Sequence, residues 1–191
     1  MRKTTGLLGV ALVTFVIGCS AADEQVDEGT PQTSQVKAAA TKPPNIVFIL
    51  TDDLDEGVFN GGSRLKSLLV DQGTSFKNHL VTVSLCCPSR AATLRGQFAH
   101  NSGIFSNGGA TGGFGKFHGD GLENSTVATW LQDGGYRTTL VGKYMNGYPS
   151  TVVPKSYVPP GWTRWFSPNG GNPYSEYNYD LNQNGTTVFL R

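Results

Sequence analysis

Residues 84–96 read SLCCPSRAATLRG and hold the densest chemistry in the chain. Two adjacent thiols, Cys86 and Cys87, stand directly before Pro88, with Ser89 and Arg90 next. Proline fits the first turn of a helix, so the thiols are expected at a helix start. Backbone N–H groups there stabilise an oxyanion, and Arg90 adds a planar fork of donors. A cysteine in that setting loses its proton more easily and becomes a good nucleophile. A zinc half-site fits poorly, because the third cysteine is the distant Cys19 and the histidines (79, 100, 118) are irregularly spaced. A disulfide between neighbours would be strained. A buried, inert thiol remains open for one of the pair. Asp52 and Asp53 form the other notable pair: adjacent carboxylates are hard ligands for a divalent cation, or else a cap or turn. Lys143, following Gly142, read by itself is an exposed charge at a strand end.

The elements that would position these groups follow an α/β order. Residues 45–51 (NIVFILT) are continuously apolar, which predicts a strand covered on both faces and ending at Asp52-Asp53. Ligands of open sheets sit beyond the carboxyl ends of such strands. Residues 64–70 predict an amphipathic helix with Gly73 as its stop. Residues 74–83 read as extended, and Pro88 opens a helix that stops at Gly96. The stretch 103–121 reads as a glycine-heavy surface loop. A helix over 125–131, capped by Asn124 or Ser125, precedes Gly134-Gly135 and a strand over 136–141. From Tyr148 onward, prolines alternate with Trp162, Trp165, Tyr174, Tyr177 and Tyr179. That region is either a substrate-facing loop or part of a larger core. Residues 187–190 read as the beginning of a strand, so the chain reads as a fragment of a longer protein.

Cys86-Cys87-Pro88-Ser89-Arg90, closed by Gly96, resembles the signature of the sulfatase family. Pro44-Asn45-Ile46-Val47 leading to Asp52-Asp53, then Gly135-Tyr136 and Gly142-Lys143-Tyr144, extend the resemblance over residues 44–190. The stretch 157–162 (YVPPGW) resembles the N-acetylglucosamine-6-sulfatase-like branch. The resemblance implies the N-terminal part of an alkaline-phosphatase-like mixed sheet with helices on both faces. It implies that Cys86, the first cysteine of the motif, is converted to formylglycine by a maturating enzyme. Asp52, Asp53 and residue 86 would then ligate one divalent ion, calcium rather than magnesium. Arg90 would orient the hydrated aldehyde, and Lys143 would bind sulfate. Two departures stand out: Arg95 occupies a position where the family often has Thr or Ser, and Met145 one where many members have His. Further metal ligands lie far downstream in the family, and Asp180, Asn182 and Asn184 stand in the wrong context to replace them.

The beginning of the chain carries an address. Arg2 and Lys3 precede an apolar run over residues 7–18, too short to span a bilayer comfortably. Val16-Ile17-Gly18-Cys19 resembles a bacterial lipobox, which implies cleavage after residue 18, acylation of Cys19 and an exported protein of the bacterial cell envelope, lipid-anchored on the periplasmic or extracellular face of a membrane. Residues 20–43 have no aromatic residue and only Val26 and Val36 as larger aliphatics, so they read as a tether, and the catalytic portion spans 44–191. The formal charge of +1 becomes −1 once Arg2 and Lys3 are removed, and no Lys/Arg cluster exists to follow a phosphate backbone. Nucleic acid is therefore excluded as a partner. With 38% hydrophobic residues, 25 glycines and 10 prolines, the rest reads as a loop-rich globule. Besides sulfated sugars or aryl sulfates, phosphate or phosphonate esters would suit the same nucleophile. A noncatalytic reading makes the aromatic region from Trp162 to Tyr179 a glycan-binding surface.

Overall fold

The computed structural model describes residues 43–55, 57, 58 and 63–191; the leader, Cys19 and nearly all of the tether lie outside these residues. The chain divides into a unit Met1–Phe48 and a unit Ile49–Arg191. The second holds every helix and strand among the described residues. Its α-helices from residue 86 onward are α1 (Cys86–Arg95), α2 (Ala99–Ser102), α3 (Gly113–Gly119) and α4 (Val127–Asp133). Its strands are β1 (Thr139–Val141), β2 (Arg164–Gly171), β3 (Tyr179–Gln183) and β4 (Thr186–Leu190). They form one mixed sheet in the order β1-β2-β3-β4. β1 runs parallel to β2, with Thr139 opposite Arg164, and the other pairs are antiparallel. The β3–β4 hairpin turns on Asn184-Gly185, whose φ values of 52° and 91° match the two left-handed positions such turns need.

Two local devices fix the helix ends. Gly96 closes α1 in a left-handed conformation at φ 61°, and its N–H returns to Ala92 O at 2.8 Å. The N-cap of α4 is Thr126, which exchanges hydrogen bonds with Thr129 in a capping box, one or two residues beyond the expected cap. α1 starts at Cys86 rather than at the proline, so Pro88 lies in its first turn, where a missing N–H costs nothing.

The core gathers Cys87 and Ala91 of α1, Ile104, Phe114 and Phe117 of the α3 region, Tyr144, Met145 and Trp165. Trp165 is fully buried, and its ring centroid lies 5.0 Å from that of Tyr144 and 5.3 Å from that of Tyr148. Edge-on contacts of this kind add to the area they bury. The aromatic region past Tyr148 is therefore partly core.

Several expectations need correction. Residues 45–51 form no strand, and Ile49 and Leu50 are exposed. A continuous apolar run becomes a central strand only where neighbouring strands and two layers receive it. Among the described residues, β1 pairs only with β2, and residues 45–51 have no ladder. The helix expected at 64–70 is a short turn, Ser63–Leu65, continuing as a π-helix, Lys66–Val70, with Leu68 and Leu69 exposed. Residues 74–83 contain no strand, and the strand expected at 136–141 is limited to β1. The stretch 103–121 is not a surface loop: Phe114 and Phe117, three apart on α3, both point into the core. Its glycines serve close approach, since a Cβ on Gly112 would lie 1.8 Å from Ser106 O.

Candidate active site

α1 enters from Leu85, which is extended at φ −134° and offers no capping side chain. Asn107 takes that role from outside the helix: its Oδ1 accepts the Cys87 N–H at 2.8 Å. The two thiols then diverge. Cys87 is buried with its sulfur 3.3 Å from Met145 Sδ, and burial pushes its thiol pKa up. It is a packing group. Cys86 is half-buried, and its Sγ lies 3.5 Å from Asp52 Oδ1.

Three residues from two distant segments, Cys86 and Arg90 of α1 and Lys143 after β1, meet around Asp52. Lys143 Nζ forms an ion pair with Asp52 Oδ2, and Arg90 Nη2 lies 3.5 Å from the same oxygen. Arg90 Nη1 donates to the carbonyl of Lys143 at 2.5 Å and lies 3.4 Å from that of Tyr144. Arg90 thus ties α1 to the segment that follows β1. Gly142, at the end of β1, sets the path of that segment with φ 111°, a conformation L side chains rarely adopt. Its N–H donates to Phe166 O at 2.8 Å, anchoring the segment to β2. The Lys143 ammonium also lies 5.3 Å from the centroid of the Tyr174 ring.

The electrostatics follow from this packing. Burial alone would raise the Asp52 pKa, but the Lys143 ammonium and the Arg90 guanidinium hold it below the usual carboxylate range. Burial alone would lower the Lys143 pKa, but the Asp52 carboxylate holds it well above the ordinary lysine range. Both groups are therefore charged at neutral pH.

Asp52, Asp53 and Cys86 each offer one donor atom, and the three atoms lie within 4.8 Å of one another. Asp53 reaches this place from a left-handed backbone at φ 55°. Two carboxylates suit a hard divalent cation, and an oxygen-bearing residue at 86 would suit it better than sulfur does. The donor set fits part of such an ion's shell, since calcium takes about six to eight oxygens. Asp180, Asn182 and Asn184 are engaged elsewhere: Asp180 pairs with Lys155 at 3.3 Å, while buried Asn182 donates to Tyr157 O at 2.8 Å. Asn184 Oδ1 accepts the Trp165 N–H at 2.8 Å.

Of the expected site residues, Asp52, Asp53, Cys86, Arg90 and Lys143 converge, whereas Cys19 lies outside the described residues. Sequence reasoning missed Asn107, whose signal is weak: an Asn before two glycines in a stretch read as surface loop. Of the aromatic residues in the glycan-binding reading, Trp165 is buried, whereas Tyr174 and Tyr177 are exposed.

A family model described as Sulfatase matches residues 44–187. An extracellular sulfatase of Drosophila melanogaster is 37% identical over 155 residues, 79% of this chain and 13% of the relative. An arylsulfatase of Chlamydomonas reinhardtii is 36% identical over 93% of this chain and 26% of its own length. A human N-acetylglucosamine-6-sulfatase is 36% identical over 78% of this chain and 27% of its own length. The chain thus spans about a quarter or less of these relatives.

Proposed function

Because the chain belongs to the sulfatase family, we propose that the protein carrying it hydrolyses sulfuric esters of sugars with residue 86 as the nucleophile. The observation that supports this reading best is the convergence of Cys86, Arg90 and Lys143 on Asp52. Residues 34 to 91 positions away from Asp52 meet there, and the only other thiol among the described residues is buried. The relative named N-acetylglucosamine-6-sulfatase supports a sulfated amino sugar as substrate.

In the proposed chemistry a maturating enzyme, using an external two-electron oxidant, converts the Cys86 CH2–SH to the aldehyde of formylglycine with loss of the sulfur as sulfide, and the aldehyde is hydrated. One hydroxyl of the hydrate attacks sulfur in line and the sugar alcohol leaves. The second hydroxyl then loses its proton, the carbon–oxygen bond to the sulfate breaks, and the aldehyde returns. A serine or cysteine lacks that second hydroxyl and could not release sulfate this way. Lys143 meets the ester's anionic oxygens, offsetting charge as it moves toward them in the transition state. Arg90 holds Asp52 and the Lys143 carbonyl beside residue 86, so these groups are oriented before substrate arrives. Asp52, Asp53 and residue 86 would hold a divalent cation, calcium in this reading, which supplies further positive charge at the sulfate.

The same reading makes residues 1–18 a lipoprotein leader, Cys19 the acylated residue, 20–43 a tether and 44–191 the N-terminal portion of the catalytic domain at a bacterial envelope membrane. The test is to produce the full-length protein with a maturating enzyme and calcium and to assay glucosamine 6-sulfate, an aryl sulfate and an aryl phosphate. Sulfate release that Cys86→Ala abolishes is expected. Faster turnover of the phosphate ester would reassign the substrate class.

A further inference from the structure

We infer that Glu123 is a positioning residue for Lys143, acting through the hydroxyl of Tyr144 together with the backbone contacts of Arg90. The inference rests on the anion-binding role proposed for Lys143.

Glu123 lies in the 3-10 turn Leu122–Asn124 and is only 3% exposed. A buried carboxylate is costly unless hydrogen bonds compensate it. Two hydroxyls donate to it, Tyr144 Oη at 3.0 Å to Oε1 and Tyr157 Oη at 3.0 Å to Oε2, and His118 Nδ1 lies 2.6 Å from Oε2. Tyr144 is the residue immediately after Lys143, and it is also 3% exposed. Its ring is bounded by Phe114, Phe117, Tyr148 and Trp165, with centroids 5.0–6.4 Å away. Rings on its flanks restrict its tilt, and the hydrogen bond to Glu123 fixes how far it extends.

The backbone of the same two residues is held separately, by α1. Arg90 donates to the Lys143 carbonyl and approaches that of Tyr144. One turn further along α1, Arg95 Nη1 donates to Leu122 O at 3.1 Å and to Ser125 O at 2.6 Å, the carbonyls that bracket Glu123. The contacts close a ring: α1 through Arg90 to Lys143 and Tyr144, on to Glu123, and back through Arg95 to α1. Arg95, the departure from the family's usual residue before Gly96, is the brace that completes it. The ammonium of Lys143 is thus aimed at Asp52 by a segment fixed at both backbone and side chain.

Tyr144→Phe and Tyr157→Phe each remove one hydroxyl from Glu123, but only Tyr144 adjoins Lys143. Both variants are made in the full-length protein, and Lys143 is labelled with an amine-acylating reagent and followed by peptide mass spectrometry. Labelling of Lys143 in Tyr144→Phe should be about tenfold faster than in the unaltered protein, with Tyr157→Phe within about twofold of it. Glu123→Gln should move labelling in the same direction as Tyr144→Phe. In the turnover assay the inhibition constant of inorganic sulfate should rise in Tyr144→Phe and stay put in Tyr157→Phe. Equal effects of the two tyrosine variants, or none, would overturn the inference and leave Glu123 a purely structural group. If the unaltered protein cleaves no sulfate ester, the proposed function fails, while the labelling contrast still decides the role of Glu123.

Discussion

Cys86 and Cys87 differ by one position in sequence and by environment in the fold. The thiol of Cys87 is enclosed beside Met145, whereas Cys86 faces Asp52. Conversion to formylglycine is therefore expected at 86 alone. Peptide mass spectrometry on protein made with a maturating enzyme checks this, and an aldehyde at 87 would refute it. The Asp52–Lys143 pair makes a second residue-level prediction. Asp52 has a lowered pKa, so its contribution is fully present above the ordinary carboxylate value near ~4 and is lost as pH falls through the lower folded value. Lys143 has a raised pKa, so its contribution is present below the ordinary value near ~10 and is lost only as pH rises through the higher folded one. The pair should persist across the whole interval. The Nζ resonance of Lys143 should titrate above the ordinary lysine range, and titration within that range would count against the ion pair.

At the scale of elements, the first turn of α1 depends on a group outside the helix. Asn107→Ala would leave the Cys87 N–H without its acceptor and should cost about 1 kcal/mol, seen as a lower Tm with little change in the helical signal. An unchanged Tm would mean that water replaces the amide. How much was legible in advance divides along the same lines. α1, its Gly96 stop, β4 and the approximate place of α4 follow from local signals. Local chemistry sets caps and stops, so these survive folding. The hairpin signal Asn184-Gly185 is equally local, but the prolines and aromatics around it carry no periodic pattern that marks the flanking strands. The failures at 45–51 and 103–121 share a different cause. Whether an apolar run is buried depends on partners that local sequence does not name, and glycines that read as loop admitted the backbone close to Ser106 and Asn107. Asp52, Asp53, Cys86, Arg90 and Lys143 could be listed from a family resemblance, but their meeting point could not be derived from spacing. It depends on the path of Gly142 and on the parallel pairing of β1 with β2.

For the molecule as a whole, the decisive quantity is the number of donors a cation would find. Asp52, Asp53 and residue 86 supply three atoms within 4.8 Å, and Asp52 is shared with Lys143 and Arg90. A hard divalent cation of calcium's size takes about six to eight oxygens, and affinity rises with the charge and rigidity of the set. The ammonium of Lys143 also competes for Asp52 Oδ2. Residues 20–191 expressed alone should therefore bind calcium only weakly, with a dissociation constant no tighter than about a millimolar, even after conversion of Cys86. Catalysis by that chain should fail with it, because groups that act together on one transition state are not lost additively. Calorimetric titration with calcium, run beside turnover of an aryl sulfate and of glucosamine 6-sulfate, gives the answer. Micromolar binding together with turnover above that of Cys86→Ala would mean that three donors and water suffice, and that the described residues already constitute a working site.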